Sequence, residues 1–215
     1  MNSRPAAGGG RWVEVDPARL PRWVANFADR HGPPETTSEA YGLLLAAPDG
    51  ATAELHAPPG APPADDLANF VAAATAPRRI GLLLARKGAV AVGVAEGPDL
   101  VVSKVDTKYV QGRTAAGGWS QQRFARRRDN QAKAALGDAA DLAVRLLLPE
   151  AATLAALVGG GDRRAVETVL ADRRLAPLAA LRADRLLDVP EPRRAVLVAA
   201  VIAARAVHVL VRDPA

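Results

Sequence analysis

The stretch RIGLLLARKGAVAVGVAEGPDLVVSKV, residues 79–105, decides the fold. Its apolar runs 79–86 and 89–95 are short and separated by Lys87-Gly88, so they read as a β-hairpin. Residues 100–105, after Gly97-Pro98, form a further strand in which polar residues enter toward the end. Upstream, YGLLLA (41–46) and ATAELH (51–56) flank Pro48-Asp49-Gly50, a turn signal, and predict another hairpin. Several strands joined by short turns point to an antiparallel or mixed sheet.

Helices fall around these strands. Asp16-Pro17 opens one, with Leu20, Trp23, Val24 and Phe27 at helical spacing over residues 17–30. Residues 65–74 form a short one with Leu67, Phe70 and Val71 inward. A long helix starts near Ser120 and runs toward Leu148, where Pro149 stops it. Residues 153–158 fit a strand or a helix continuation, and the strand is preferred because Gly159-Gly160-Gly161-Asp162 and a helix over 163–171 follow. Residues 181–187 are irregular or partly strand, Pro192 opens a helix to about Ala204, and 206–212 form a last strand. The expected fold class is α/β, a mixed β-sheet flanked by helices. Residues 1–10, rich in Gly, Ala and Pro, read as a disordered tail, and 11–212 as a single domain without internal repeats.

Composition narrows the function. The 215 residues include no cysteine, which excludes disulfides, thiolate metal sites and cysteine nucleophiles. Three histidines, His31, His56 and His208, make a His-built metal site improbable. They read as structural, with His31 at a helix end where it can cap carbonyls. Aromatics at 4% argue against a sheet of base-stacking platforms. The net charge of +5 permits a polyanionic partner. The first residues lack the apolar core of a signal peptide, and the apolar stretch 195–204 is too short to span a bilayer. The expectation is a cytoplasmic protein without a membrane role, its oligomeric state open and a monomer the default.

The surplus charge is concentrated in KVDTKYVQGRTAAGGWSQQRFARRRDNQAK, residues 104–133. Lys104, Lys108, Arg113, Arg123, Arg126, Arg127, Arg128 and Lys133 there oppose only Asp106 and Asp129. On a helix Arg123 and Arg127 share a face, as do Arg126 and Asn130. Such a stripe suits a phosphate backbone. Ahead of it, Gly117-Gly118 permits close backbone approach, and Ser120 is placed to cap the helix. Gln121 then lies among free N–H groups that favour an anion or a developing oxyanion. Gln121 and Gln122 supply amides that bind without adding charge, and Trp119 can stack on a nucleotide or simply pack. On these grounds alone a solvated helix face behind an ordinary capped turn accounts for the segment as well as a functional loop does.

Gly117-Gly118-Trp119-Ser120-Gln121, followed by a basic helix, resembles the catalytic loop of the VMS-like release-factor (VLRF) family, in particular its actinobacterial peptidyl-tRNA hydrolase branch. That family is similar to the middle domain of archaeal and eukaryotic class I release factors, which carries a Gly-Gly-Gln loop. The likeness extends to the hairpins before the loop, to Tyr109 and Arg113, to LVGGGDRRAVETVLADRRLAPL (157–178) and to PEPRRAVL (190–197). It implies a release-factor middle-domain-like (RNase H-like) core and a peptidyl-tRNA hydrolase. The enzyme would cleave the peptide–tRNA ester on stalled or split large ribosomal subunits. Gln121 would position the attacking water and Gly117 and Gly118 would let the loop fit. Tyr109, Arg113, Trp119, Gln122, Arg123, Arg126 and Arg127 would hold tRNA or rRNA. No metal and no cofactor are implied. Here two residues separate the glycines from Gln121, and the adjacent Gln122 offers a second amide. Some eukaryotic relatives cut tRNA near its CCA end, so an endonuclease is the alternative enzyme, and a non-catalytic ribosome- or RNA-binding module the alternative outside catalysis.

Other motifs carry less. Gly159-Gly160-Gly161 lacks the lysine and hydroxyl residue of a phosphate-binding loop and reads as a turn leading into a helix. Asp49, Glu54, Asp99 and Asp106 are scattered over turns and strands and do not form a metal-site pattern. Ser120 has no local histidine or lysine to activate it.

Overall fold

The computed structural model describes residues 3–86, 88–107 and 134–214. They divide into two compact units, residues 1–77 with 202–215, and residues 78–201.

The first unit is built on a six-stranded sheet in the order β1-β2-β11-β5-β4-β3. Its strands are β1 (Ser3–Pro5), β2 (Arg11–Val15), β3 (Glu35–Glu39), β4 (Gly42–Ala46), β5 (Thr52–His56) and β11 (Val207–Arg212), and every pairing is antiparallel. The hairpin predicted around Pro48-Asp49-Gly50 is β4–β5, with Leu43 opposite Leu55 and Leu45 opposite Ala53. Burial alternates along β4 and β5, the signature of a sheet packed on one face only. The packed face meets α1 (Leu20–His31) and α2 (Leu67–Thr75). Leu20, Val24, Phe27, Phe70 and Ala74 lie against Val13, Val15, Leu43, Leu45, Leu55 and Val209. Asp16 accepts a hydrogen bond from the Ala18 N–H at 2.9 Å and Pro17 occupies the first turn, as the sequence predicts; that turn is a short 3-10 helix running into α1.

The second unit holds a five-stranded mixed sheet in the order β10-β9-β6-β7-β8. Its strands are β6 (Arg79–Arg86), β7 (Ala89–Glu96), β8 (Asp99–Thr107), β9 (Ala156–Gly161) and β10 (Arg182–Leu187). β6, β7 and β8 form an antiparallel meander, whereas β9 lies parallel to both β6 and β10. Almost every residue of β6 and β7 is buried, because helices cover both sheet faces. On one face the helical residues 134–146, here α3, contribute Ala139, Ala140, Leu142 and Ala143. α4 (Arg163–Leu170) adds Val166, Val169 and Leu170 against Leu83, Val90, Val92, Val94 and Leu157. A short helix, α5 (Ala176–Ala179), supplies Leu178 to the same cluster. On the opposite face α6 (Arg194–Arg205) brings Leu197 over Gly93, where a Cβ would lie 3.0 Å from the leucine methyl. The expected mixed sheet flanked by helices is this one, and the protein has a second, wholly antiparallel sheet beside it in sequence.

Several expectations need correction. Residues 1–10 are not a free tail throughout, since Ser3–Pro5 pairs with β2, Ser3 opposite Val13 and Pro5 opposite Arg11. A turn held by the Ala6 N–H on the Gly10 carbonyl at 3.1 Å reverses the chain, with Gly10 at φ +81°. β11 pairs with β2 and with β5, so residues 207–212 join the sheet begun near the start of the chain. Gly159–Gly161 form no turn into a helix. They lie in β9, and Asp162 caps α4 instead. A Cβ on Gly160 would lie 2.6 Å from a Leu84 methyl carbon, so tight packing requires glycine where composition suggests a turn.

Candidate functional site

All ten site residues named from the sequence lie outside the described residues: Tyr109, Arg113, Gly117, Gly118, Trp119, Gln121, Gln122, Arg123, Arg126 and Arg127. So do most of the basic stripe and the start of the expected long helix. The structure describes the framework at each end of that segment.

β8 delivers the chain into it. β8 runs antiparallel to β7, and β7 antiparallel to β6, so β8 points the same way as β6, β9 and β10. Thr107 pairs with Ala89, Ala89 with Arg86, and Ala85 with Gly161. The segment that begins at Lys108 therefore leaves from the carboxyl end of the parallel strands, the end at which open α/β sheets place their ligands. It returns through α3, anchored on the sheet by Ala139, Ala140, Leu142 and Ala143. The 26 residues 108–133 thus lie in sequence between β8 and α3, both of which pack in the second unit.

The same sheet end carries polar groups that sequence spacing does not bring together. The Asp162 N–H donates to the Ala85 carbonyl at 2.7 Å, stitching β9 to β6 at its last residue. The Asp162 carboxylate accepts from the backbone N–H of Arg164 at 2.9 Å and of Ala165 at 3.3 Å, satisfying the start of α4. Arg86 donates to the Val189 carbonyl at 2.7 Å and meets Asp188 at 3.4 Å. Arg163 and Arg164, both exposed, add cations on the first turn of α4. Only the register of β6 against β9 makes neighbours of these groups, and local pattern does not encode register.

Away from that end, Arg174 bridges Asp172 and Asp141 at 2.7 Å each. Hydrogen bonds from the Arg174 guanidinium and backbone hold the Asp172 carboxyl down at about 2.

The histidines read as structural sit in the first unit. His31 Nδ1 lies 2.8 Å from Asp49 Oδ2, joining the end of α1 to the β4–β5 turn. The Asp49 carboxyl is lowered, first by the Ala51 N–H and then by His31. His208 and His56 face each other across β11 and β5. Tyr41 stacks on the His56 ring at 4.5 Å and Trp12 meets it edge-on at 4.9 Å. Burial pushes the Glu54 carboxyl up, but hydrogen bonds from Arg212 and His56 outweigh it and the net shift is downward. The Tyr41 hydroxyl is raised by burial and then by Glu54 and Glu39. Among the described residues no group of three or more His, Asp and Glu is arranged to hold a metal ion, and no helix is long and apolar enough to cross a membrane.

Comparison with known proteins bears on the second unit above all. Among curated proteins none matches the chain. Solved structures similar to it include one described as an archaeal protein, at 18% identity and a TM-score of 0.38, covering 71% of this chain and 47% of the other. Another is the archaeal translation termination factor aRF1, at 15% identity and a TM-score of 0.37, covering 83% of this chain and 59% of the other. The chain therefore spans about half the length of these structures. Residues 78–210 match the family described as the Actinobacteria/chloroflexi VLRF1 release factor, a stretch holding the whole mixed sheet, residues 108–133 and most of β11. The chain belongs to this VLRF1 release-factor family.

Proposed function

We propose that the protein is a peptidyl-tRNA hydrolase that cleaves the ester between a nascent peptide and its tRNA on stalled or split large ribosomal subunits. The observation that carries the reading is the family match over residues 78–210, which includes the Gly117-Gly118-Trp119-Ser120-Gln121 loop. The sheet supports it, because the loop's segment springs from the strand end suited to presenting a reactive group.

In this reading Gln121 orients the attacking water through its amide while its backbone N–H stabilises the developing oxyanion. Gly117 and Gly118 let the backbone approach the tRNA terminus without side-chain interference. Tyr109, Arg113 and Trp119 position the terminal nucleotides, with Gln122 as a further hydrogen-bonding amide. Arg123, Arg126 and Arg127 neutralise RNA phosphates. Water attacks the ester carbonyl, the ester C–O bond breaks, and the tRNA leaves with its 3′ hydroxyl restored. The protein acts in the cytoplasm, where the ribosome supplies much of the environment of the reaction. Residues 11–212 act together, the sheet of the second unit as the platform for the loop.

The chemistry is tested with large subunits carrying peptidyl-tRNA labelled on both peptide and tRNA. The expected outcome is free peptide together with tRNA that keeps an intact CCA end. A shortened tRNA would move the activity to phosphodiester cleavage. No release would remove the hydrolase reading.

A further inference from the structure

Helix α6 keeps an apolar stripe in water. Arg194, Ala195, Val198, Ala199 and Ile202 are all exposed, Val198 at 45% and Ile202 at 64% of full accessibility. Leu197, Ala200, Val201 and Ala204 on the other side are buried, so the helix has one face in the fold and a second apolar face outside it. At about 100° per residue the outer set, with Arg205, occupies one continuous arc. Its two ends carry cations. Arg194 donates to the neutral Ser103 hydroxyl at 3.0 Å. Arg205 closes the last turn, eleven residues and about 16 Å further along the axis. The helix contains no acidic residue.

We propose that this stripe docks an acidic amphipathic helix of another protein, one whose apolar residues cover Val198 and Ile202 and whose carboxylates meet Arg194 and Arg205. The charge arrangement selects the occupant. A second copy of α6 would set Arg194 against Arg205 if antiparallel, or Arg194 against Arg194 if parallel, and like charges repel in both. Nucleic acid would satisfy the arginines but leave the apolar residues between them uncovered. An antiparallel helix with carboxylates about eleven residues apart satisfies the ends and the middle together. Ala195 and Ala199 let its backbone come close.

The test is a displayed library of 18-residue helical peptides, randomised along one face and selected against the full chain. Enriched peptides are expected to carry Asp or Glu about three turns apart with apolar residues between. The best of them should lose at least about tenfold in affinity for Val198→Asp/Ile202→Asp. An Arg194→Glu/Arg205→Glu variant should select Lys or Arg at the flanking positions instead. Circular dichroism checks that both variants keep the fold. Enrichment of basic or uncharged flanks, no enrichment, or undiminished binding by Val198→Asp/Ile202→Asp would overturn the proposal. So would a concentration-dependent dimer abolished by that variant, or tighter binding to phosphatidylglycerol vesicles than to any selected peptide.

Discussion

The two sheets use similar residues for different ends. The antiparallel sheet of the first unit packs one face on α1 and α2, and its other face carries Trp12, Glu54, His56 and Arg212 in a half-buried polar and aromatic layer. The mixed sheet of the second unit is covered on both faces, and its strands β6 and β7 are buried nearly throughout. Double covering leaves the strand ends as the places where such a sheet can present chemistry, and residues 108–133 depart from one of them. The family match follows this division, spanning the mixed sheet and little of the first unit beyond β11. In the proposed reading the second unit is the scaffold from which residues 108–133 act.

That contrast predicts unequal tolerance to substitution. The largest effect on stability is expected from Leu157→Ala, at a fully buried position of β9 in the cluster with α3 and α4, which should cost roughly 2–5 kcal/mol in urea denaturation. Thr37→Ala, exposed on edge strand β3, should stay within about 0.5 kcal/mol. Equal effects would break the distinction between the sheets. Gly160→Ala comes next. Its new methyl meets the Leu84 side chain and should cost about 1–3 kcal/mol, read as a lowered Tm. The smallest effect is electrostatic. The Asp172 carboxyl lies at about 2 in the folded protein against 3.8 ordinarily, so the unfolded chain binds its proton more readily. Its contribution to stability is complete above pH about 4 and is lost as pH falls toward 2. Arg174→Ala should return the Asp172 titration, followed by NMR, toward 3.8. A midpoint unchanged by the substitution would show that Arg174 is not its cause.

What was legible in the sequence follows from what each element buries. The β6–β7 and β4–β5 hairpins stand out because long apolar runs are interrupted by Lys87-Gly88 and by Pro48-Asp49-Gly50. Asp16-Pro17 marks the start of its helix through cap chemistry that is local. β3, with the sequence Glu-Thr-Thr-Ser-Glu, buries nothing and is held by backbone pairing with β4, so no hydrophobic pattern reveals it. β1 hides in the same way in a Gly- and Ala-rich start. Gly159–Gly161 mislead because strand glycines are dictated by Val166, Leu84 and Leu187, which are remote or on other elements. Of the candidate site, the loop and its basic stripe are read from charge, glycine placement and family likeness alone, and they lie outside the described residues. The placing of Arg86 and Asp162 at the same end of the sheet is not legible there, since it depends on the parallel register of β6 and β9.

In the proposed reading one amide of the loop, that of Gln121, carries the hydrolysis while the mixed sheet only holds it in place. The direct measurement is the single-turnover rate of peptide release from large-subunit-bound peptidyl-tRNA by wild type, Gln121→Ala and Gln122→Ala, with the Tm of each recorded. A loss of about a hundredfold or more is expected for Gln121→Ala at an unchanged Tm, and a much smaller loss for Gln122→Ala. Release by Gln121→Ala at the wild-type rate would contradict it.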